Sequence, residues 1–266
     1  MIANLRLIWV FFLAIVVLVV LLPFQILALL VERLGWRTPA QYIPIMFHRA
    51  LLAIVGVRLK LDGKLDRNRP LLLVANHLSW LDIVVFGAVG PVSFVAKSEM
   101  RGWPIFGTLA RLQRTVFVKR EERRNSHIQA NEVAERLTAR EIMVLFPEGT
   151  TTDGNLMDPF KTSLFEAAKI ALKQSPVETA LVQPASIAYT HLHGLPICRA
   201  ERPHVSWPGE VGLGESLFPI FRQGALDVRI RLGEPIVLTE TTHRKAVARD
   251  AAESIRSMLD SSQLDR

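Results

Sequence analysis

The sequence predicts an α/β fold: a layered, largely parallel sheet flanked by helices, with a hydrophobic helical anchor at its N-terminus. Three observations carry this. From about residue 70 onward, short apolar runs alternate with stretches of helical periodicity, the pattern of strands connected by crossover helices. Those runs are bounded by turn residues and are apolar throughout, as buried strands are. Residues 7–31, LIWVFFLAIVVLVVLLPFQILALLV, hold no charge over 25 positions.

The uncharged run is long enough, as one helix, to cross a hydrocarbon core of roughly 30 Å. Pro23 removes a backbone donor and predicts a kink or break there. Two anchors fit: a single kinked span, or a segment that enters one leaflet and turns. Residues 40–61, AQYIPIMFHRALLAIVGVRLKL, read as a further apolar, basic and helical stretch. Arg33, Arg37, Arg49, Arg58 and Lys60 outweigh Arg6, which places the C-terminal side in the cytosol. The run is too long for a signal peptide and no small-x-small site follows it, so retention is expected. Residues 1–65 are thus read as a membrane anchor with an amphipathic helical region, and 66–266 as one domain.

In order, LLLVAN (71–76) predicts a buried strand and SWLDIVVFGAVG a helix. VSFVAK (92–97) predicts a second strand, WPIFGTLARLQ a short helix and RTVFVKR (114–120) a third strand. NSHIQANEVAERLTAR predicts a helix with a capping box at Ser126 and Gln129. EIMVLFPEGT is a fourth strand running into a turn. FKTSLFEAAKIALKQ is a helix and TALVQPASIAY a fifth strand. SLFPIFRQG suggests a short helix interrupted by Pro219, LDVRIRLGEPI a half-exposed strand, and residues 242–259 a polar helix.

Half of the 266 residues are hydrophobic and the net charge is +7. Residues 1–60 hold six basic and one acidic residue, and residues 97–124 eight and three. Basic zones beside a greasy segment point to anionic lipid or a phosphorylated substrate. Nucleic acid is not expected, because no recognition motif accompanies the charge. The single cysteine, Cys198, excludes an internal disulfide framework. His191 and His193 have metal-pair spacing but no partner cluster. Trp103 and Trp207 fit either core or bilayer interface.

The chemistry concentrates in VANHLSWLDIVVF, residues 74–86. Ser79 and Asp82 make an S-x-x-D helix start, which leaves Asn76 and His77 unexplained. An imidazole between a buried strand and a helix start is costly unless paired. His77 touches Asp82 only if it lies on the turn before the helix, at the strand's C-terminal end, where open α/β sheets place their sites. Asp82 would then fix the tautomer of His77 and leave its other nitrogen to take a proton from a hydroxyl. No G-x-S-x-G is present, so that hydroxyl belongs to the substrate. A second polar interruption, FPEGTTTDG (146–154), also follows a buried strand and would suit an anionic or polyol ligand.

These residues resemble the glycerolipid acyltransferases, including the 1-acylglycerol-3-phosphate acyltransferases. NHLSWLD matches their N-H-x-x-x-x-D motif and FPEGT a second block. VFVKR resembles the block ending in Arg, here Arg120, and VQPASI a late block containing Pro184. The resemblance spans residues 71–188 and would make 66–266 the acyltransferase domain. It implies transfer of an acyl chain from acyl-CoA or acyl carrier protein to a lysolipid hydroxyl, with His77 as base and Asp82 orienting it. Asn76, Glu148, Gly149 and Thr150 would lie at the acceptor, Arg120 on a phosphate, and Lys97 and Lys161 nearby. No metal or cofactor is implied.

The expected acceptor is 1-acylglycerol-3-phosphate, giving phosphatidate. Thr151, where many relatives have Arg, makes lyso-ornithine lipid the alternative. A non-catalytic lipid-binding protein, or a hydrolase using the same pair, are the competing classes. The expected location is the cytoplasmic face of the bacterial inner membrane.

Overall fold

The computed structural model describes residues 2–35, 38–66, 70–118, 126–174, 179–209 and 211–264. Two helices open the chain, α1 (Ile2–Glu32) and α2 (Thr38–Val55), and a strand follows at once, β1 (Val57–Asp62). Next come β2 (Leu71–Ala75), α3 (Leu81–Val89), β3 (Val92–Lys97), α4 (Phe106–Leu112) and β4 (Val116–Val118). α5 (Ser126–Thr138), β5 (Ile142–Leu145), α6 (Glu166–Gln174) and β6 (Ala180–Leu192) complete the central crossovers. The C-terminal part holds β7 (Leu195–Pro196), α7 (Arg202–Val205), α8 (Leu213–Gln223), β8 (Leu226–Leu232), β9 (Ile236–Leu238) and α9 (Arg244–Leu264).

The sheet runs β1-β8-β6-β2-β5-β3-β4, with β7 and β9 also paired to β6. β2, β3, β4, β5 and β6 are mutually parallel along this path, as expected. β8 runs antiparallel to β6, and β1 runs parallel to β8. Side chains alternate between two cores. Leu71 and Leu73 join α2, α3 and α8 on one face, while Leu72 and Val74 join α5, α6 and α9 on the other. β2 is buried on both faces, which explains its unbroken apolar run.

Pro184 stands inside β6, where its missing N–H would be a defect. β6 pairs with β9 through Val182 and with β8 from Ala185, so the proline falls at the change of partner. Its carbonyl accepts from the N–H of Gly233, in the β8–β9 connection.

Three expectations need correction. The helical reading of residues 40–61 holds only to Val55. Gly56, at φ +81, ends the helix, and residues 57–62 form β1 against β8. The sheet therefore takes in residues before 66. Pro23 does not break α1, which runs from Ile2 to Glu32. Pro219 likewise sits inside the continuous α8. The strand expected over 114–120 is described as Val116–Val118; Lys119 and Arg120 lie outside the described residues, as do Arg37 and the side chains of Ser126 and Gln129.

α1 lies against the domain along its length. Near its start Arg6 donates to the carbonyls of Val55 (2.7 Å) and Phe221 (3.2 Å). Gly224 makes room, since a Cβ there would collide with the guanidinium. Further on, Gln25 donates to the carbonyls of Leu112 and Ala40, and Glu32 pairs with Arg114 at 2.8 Å. Ile8, Phe12, Val19 and Leu27 face outward, each more than half exposed.

Candidate active site

The two polar interruptions meet because β2 and β5 are neighbouring parallel strands in register, Val74 opposite Leu145. His77 and Glu148 each lie three residues beyond that pair, at the same end of the sheet. The backbone N–H of His77 donates to Glu148 Oε1 at 2.8 Å, and the N–H of Asp158 donates to Oε2 at 2.7 Å. Glu148 is buried, and desolvation pushes its carboxyl up to about 7 against the pull of these two bonds. Gly149, at φ +82, turns the chain there and is itself buried.

His77 lies on the turn before α3, and its Nδ1 is 2.8 Å from Asp82 Oδ2. Asp82 is fully buried, while the imidazole keeps an exposed edge. The same Asp82 oxygen accepts the N–H groups of Leu78 and Ser79, and Oδ1 accepts the hydroxyl of Tyr189 at 2.7 Å. Four donors therefore satisfy one buried carboxylate. An ionised Asp82 can only accept, so a neutral imidazole in this contact places its proton on Nδ1 and its lone pair on Nε2. Burial raises the Tyr189 phenol well above its ordinary value, which keeps it a donor. The ring of His77 stacks on Phe146, centroids 4.0 Å apart. The expected cap at Ser79 is only partly present: the helix begins after Trp80, which makes no side-chain cap, while Ser79 Oγ accepts from Leu81 N–H at 3.4 Å and Asp82 Oδ2 accepts the Ser79 N–H at 3.0 Å. These local bonds and the pairing with His77 coexist.

Of the remaining sequence candidates, Asn76 is buried, and both ends of its amide bond the backbone of Ile187 in β6 (3.0 and 2.9 Å). Thr150 packs its hydroxyl against Gly209, where a Cβ would come within 2.6 Å. Lys161 is exposed, and its backbone N–H bonds the carbonyl of Pro147. Lys97 closes β3, one strand beyond β5, with an exposed side chain. Arg120 cannot be placed, being outside the described residues. The sequence reading missed Tyr189, Ile187 and Phe146. Phe146 directly precedes Pro147-Glu148 and could have been found. Tyr189 carries no local signal, and Ile187 ends the VQPASI block without showing its partner, because only strand order brings β6 beside β2.

A buried carboxylate that orients an imidazole at the C-terminal end of a parallel sheet is an arrangement able to take a proton from a hydroxyl, whether of a substrate or of water. Residues 57–188 match the family model described as Acyltransferase. The chain is 50% identical over 246 residues to the lyso-ornithine lipid O-acyltransferase of Brucella abortus, covering 92% of this chain and 91% of that protein. It is 33% identical over 211 residues to the 1-acyl-sn-glycerol-3-phosphate acyltransferase of Neisseria meningitidis, covering 77% and 78%. The crystal structure of the 1-acyl-sn-glycerophosphate acyltransferase PlsC from Thermotoga maritima shares the fold, with a TM-score of 0.69 at 19% identity over 97% of this chain and 95% of that one. The chain belongs to the acyltransferase family, and it is an acyltransferase of lysolipids.

Proposed function

We propose that the protein transfers an acyl chain from a thioester donor, acyl-CoA or acyl carrier protein, to the free hydroxyl of lyso-ornithine lipid. The observation that carries the chemistry is the 2.8 Å contact between His77 Nδ1 and the buried Asp82. Nε2 of His77 takes the proton of the acceptor hydroxyl as its oxygen attacks the thioester carbonyl. Asp82 stabilises the imidazolium that forms. The tetrahedral intermediate collapses, the carbon–sulfur bond breaks, and the thiolate takes the proton back from Nε2. Tyr189 and the Leu78 and Ser79 amides hold Asp82 in place for this, and Glu148 fixes the His77 backbone. The same residues argue against a merely lipid-binding role, which needs no buried acid–imidazole pair.

For the acceptor, two features support lyso-ornithine lipid over 1-acylglycerol-3-phosphate, the first expectation from sequence. Thr151 stands where a phosphate-binding Arg would be useful. The 50% identical relative bears the lyso-ornithine name, whereas the relative named for the phosphate acceptor is 33% identical. The test offers both lysolipids to one preparation of the full chain and compares kcat/KM. Preference for lyso-ornithine lipid is expected; turnover of 1-acylglycerol-3-phosphate alone would overturn the assignment.

The anchor reading that fits best is insertion into one leaflet. α1 is about 46 Å long at 1.5 Å per residue, and it is tied to the domain near both ends, through Arg6 and through Glu32. Standing upright, it would draw that charged domain into the hydrocarbon, so α1 lies along the interface with its apolar face in lipid. The basic residues favour the cytosolic leaflet. In sealed vesicles, cysteines placed at Ala3 and Leu34 in a Cys198→Ser background should react with an impermeant reagent from the same side. Labelling from opposite sides would establish a span.

A further inference from the structure

Beside the His77 corner lies a cavity of about 180 Å³. Its floor is the β6 segment 187–190, the same segment that holds Asn76 and Asp82. One wall is the loop 152–157, which continues the FPEGT turn and is tied to the corner by the Thr152 N–H to the His77 carbonyl (3.0 Å). The opposite walls are α7 with Ser206, and the last turns of α9. A cavity of roughly 150 Å³ accommodates benzene, so this one is of amino-acid size.

Its lining is charged but balanced. Asp153 and Asp260 supply two carboxylates, Arg202 and Arg256 two guanidinium groups. Asp153 is held in a fixed geometry. Asn155 donates to it from both backbone (2.9 Å) and side chain (2.9 Å), and the side-chain oxygen Oδ1 of Asn155 accepts from Arg202 at 3.3 Å. Burial opposes its ionisation, but these bonds, the N–H of Leu156 and the charge of Arg199 outside the lining keep its carboxyl below the usual range. Ser206 is buried in the same wall, and its hydroxyl has no hydrogen-bond partner among the described residues.

A phosphate monoester, with a charge near −1.5 to −2 at neutral pH, calls for a net cationic pocket; two carboxylates in the wall work against it. An amino-acid headgroup with one free carboxylate and one free ammonium matches the balance of a wall that holds both signs of charge in equal number. We infer that this cavity is the headgroup subsite for a zwitterionic amino-acid lysolipid, with Arg202 and Arg256 on its carboxylate and Asp153 and Asp260 on its ammonium. The inference rests on the acceptor reading above and adds the residues that select it.

The test uses the full chain in mixed micelles with one acyl donor and three acceptors: lyso-ornithine lipid, its carboxylate methyl ester, and its N-acetylated amine. Arg256→Ala and Asp260→Asn alter exposed side chains on α9 and carry the test; Arg202→Ala and Asp153→Asn are added with a melting temperature for each. The arginine variants are expected to raise KM for lyso-ornithine lipid about fivefold, the worth of a partly exposed ion pair, and to have no further effect on the methyl ester. The aspartate variants should behave likewise, losing their effect on the N-acetyl acceptor. Unchanged KM in the folded α9 variants, with wild type turning over lyso-ornithine lipid, overturns the subsite and leaves the acceptor reading intact. Wild type that acylates only 1-acylglycerol-3-phosphate overturns both.

Discussion

β2 and the uncharged run of α1 are both strings of Leu and Val, and the molecule treats them in opposite ways. Leu71 to Ala75 are each at most 1% exposed, whereas Ile8 is 65% and Val19 62% exposed. The polar residues attached to each run differ in the same sense. At the end of β2, Asn76 and His77 are held by side chains and backbone of β6, α3 and the 146–161 loop. On α1, Arg6, Gln25 and Glu32 tether the helix to the domain and leave its apolar face bare. An apolar face of that extent needs a nonpolar neighbour. Composition cannot separate the two cases. What separates them is whether the polar residues at the edges are consumed by a site or by an attachment.

The comparison breaks most sharply at the dyad. His77→Ala or Asp82→Asn should reduce kcat by about 10³-fold or more, the range for a positioned base and its orienting carboxylate. Membrane attachment should be untouched, because neither residue contacts α1 in any bond described above. Asp82→Asn tests the tautomer directly: its amide can donate to Nδ1 and leave the proton on Nε2. Near-normal turnover in folded protein would sink the assignment. Tyr189→Phe removes a single donor from Asp82 and should cost about tenfold in kcat, with KM for the acceptor largely kept. Equal loss in kcat and in melting stability would instead mark Tyr189 as a packing residue.

The converse experiment spares the dyad and attacks the bare face. Replacing Trp9, Phe12 and Val19 with Ser removes apolar surface worth about 2 kcal/mol per large side chain if it meets lipid. Vesicle flotation should then show most of the protein released, while it remains active on micellar substrate. Retention on vesicles by the triple variant would mean that the face is covered by something other than lipid.

How much of this was legible in the sequence follows from the same contrast. His77, Asp82 and Glu148 stood out because polar residues inside apolar runs need partners, and parallel strands in register supply them. Tyr189 and Ile187 did not, because their roles depend on β6 lying beside β2, 107 and 111 positions away. Residues 57–62 read as more helix because their alternation continues an apolar, basic stretch, and the β8 strand that pairs with them lies far along the chain. Gly56 was the local sign that the helix stops. Arg6 counted as one charge in an orientation rule, yet its structural use is to fasten α1 to the ends of α2 and α8.

The smallest effect expected concerns Glu148, which joins the two polar interruptions through the N–H groups of His77 and Asp158. Its carboxyl is raised from 4.5 to about 7, chiefly by burial. Between those values the folded protein retains a proton that the unfolded chain has lost. The stabilising contribution is therefore complete below about pH 4.5 and is lost as pH rises through about 7. Glu148→Gln has no such titration, though its amide cannot accept from both His77 and Asp158. The variant should be the less stable protein in acid, and the gap in Tm between it and wild type should narrow by a few degrees as pH rises from 4.5 to 7.5. Thermal melts of both proteins in the same detergent, at matched ionic strength, measure this. Tm curves that stay parallel across the window would mean that the two backbone N–H bonds, and not desolvation, decide the state of this carboxylate.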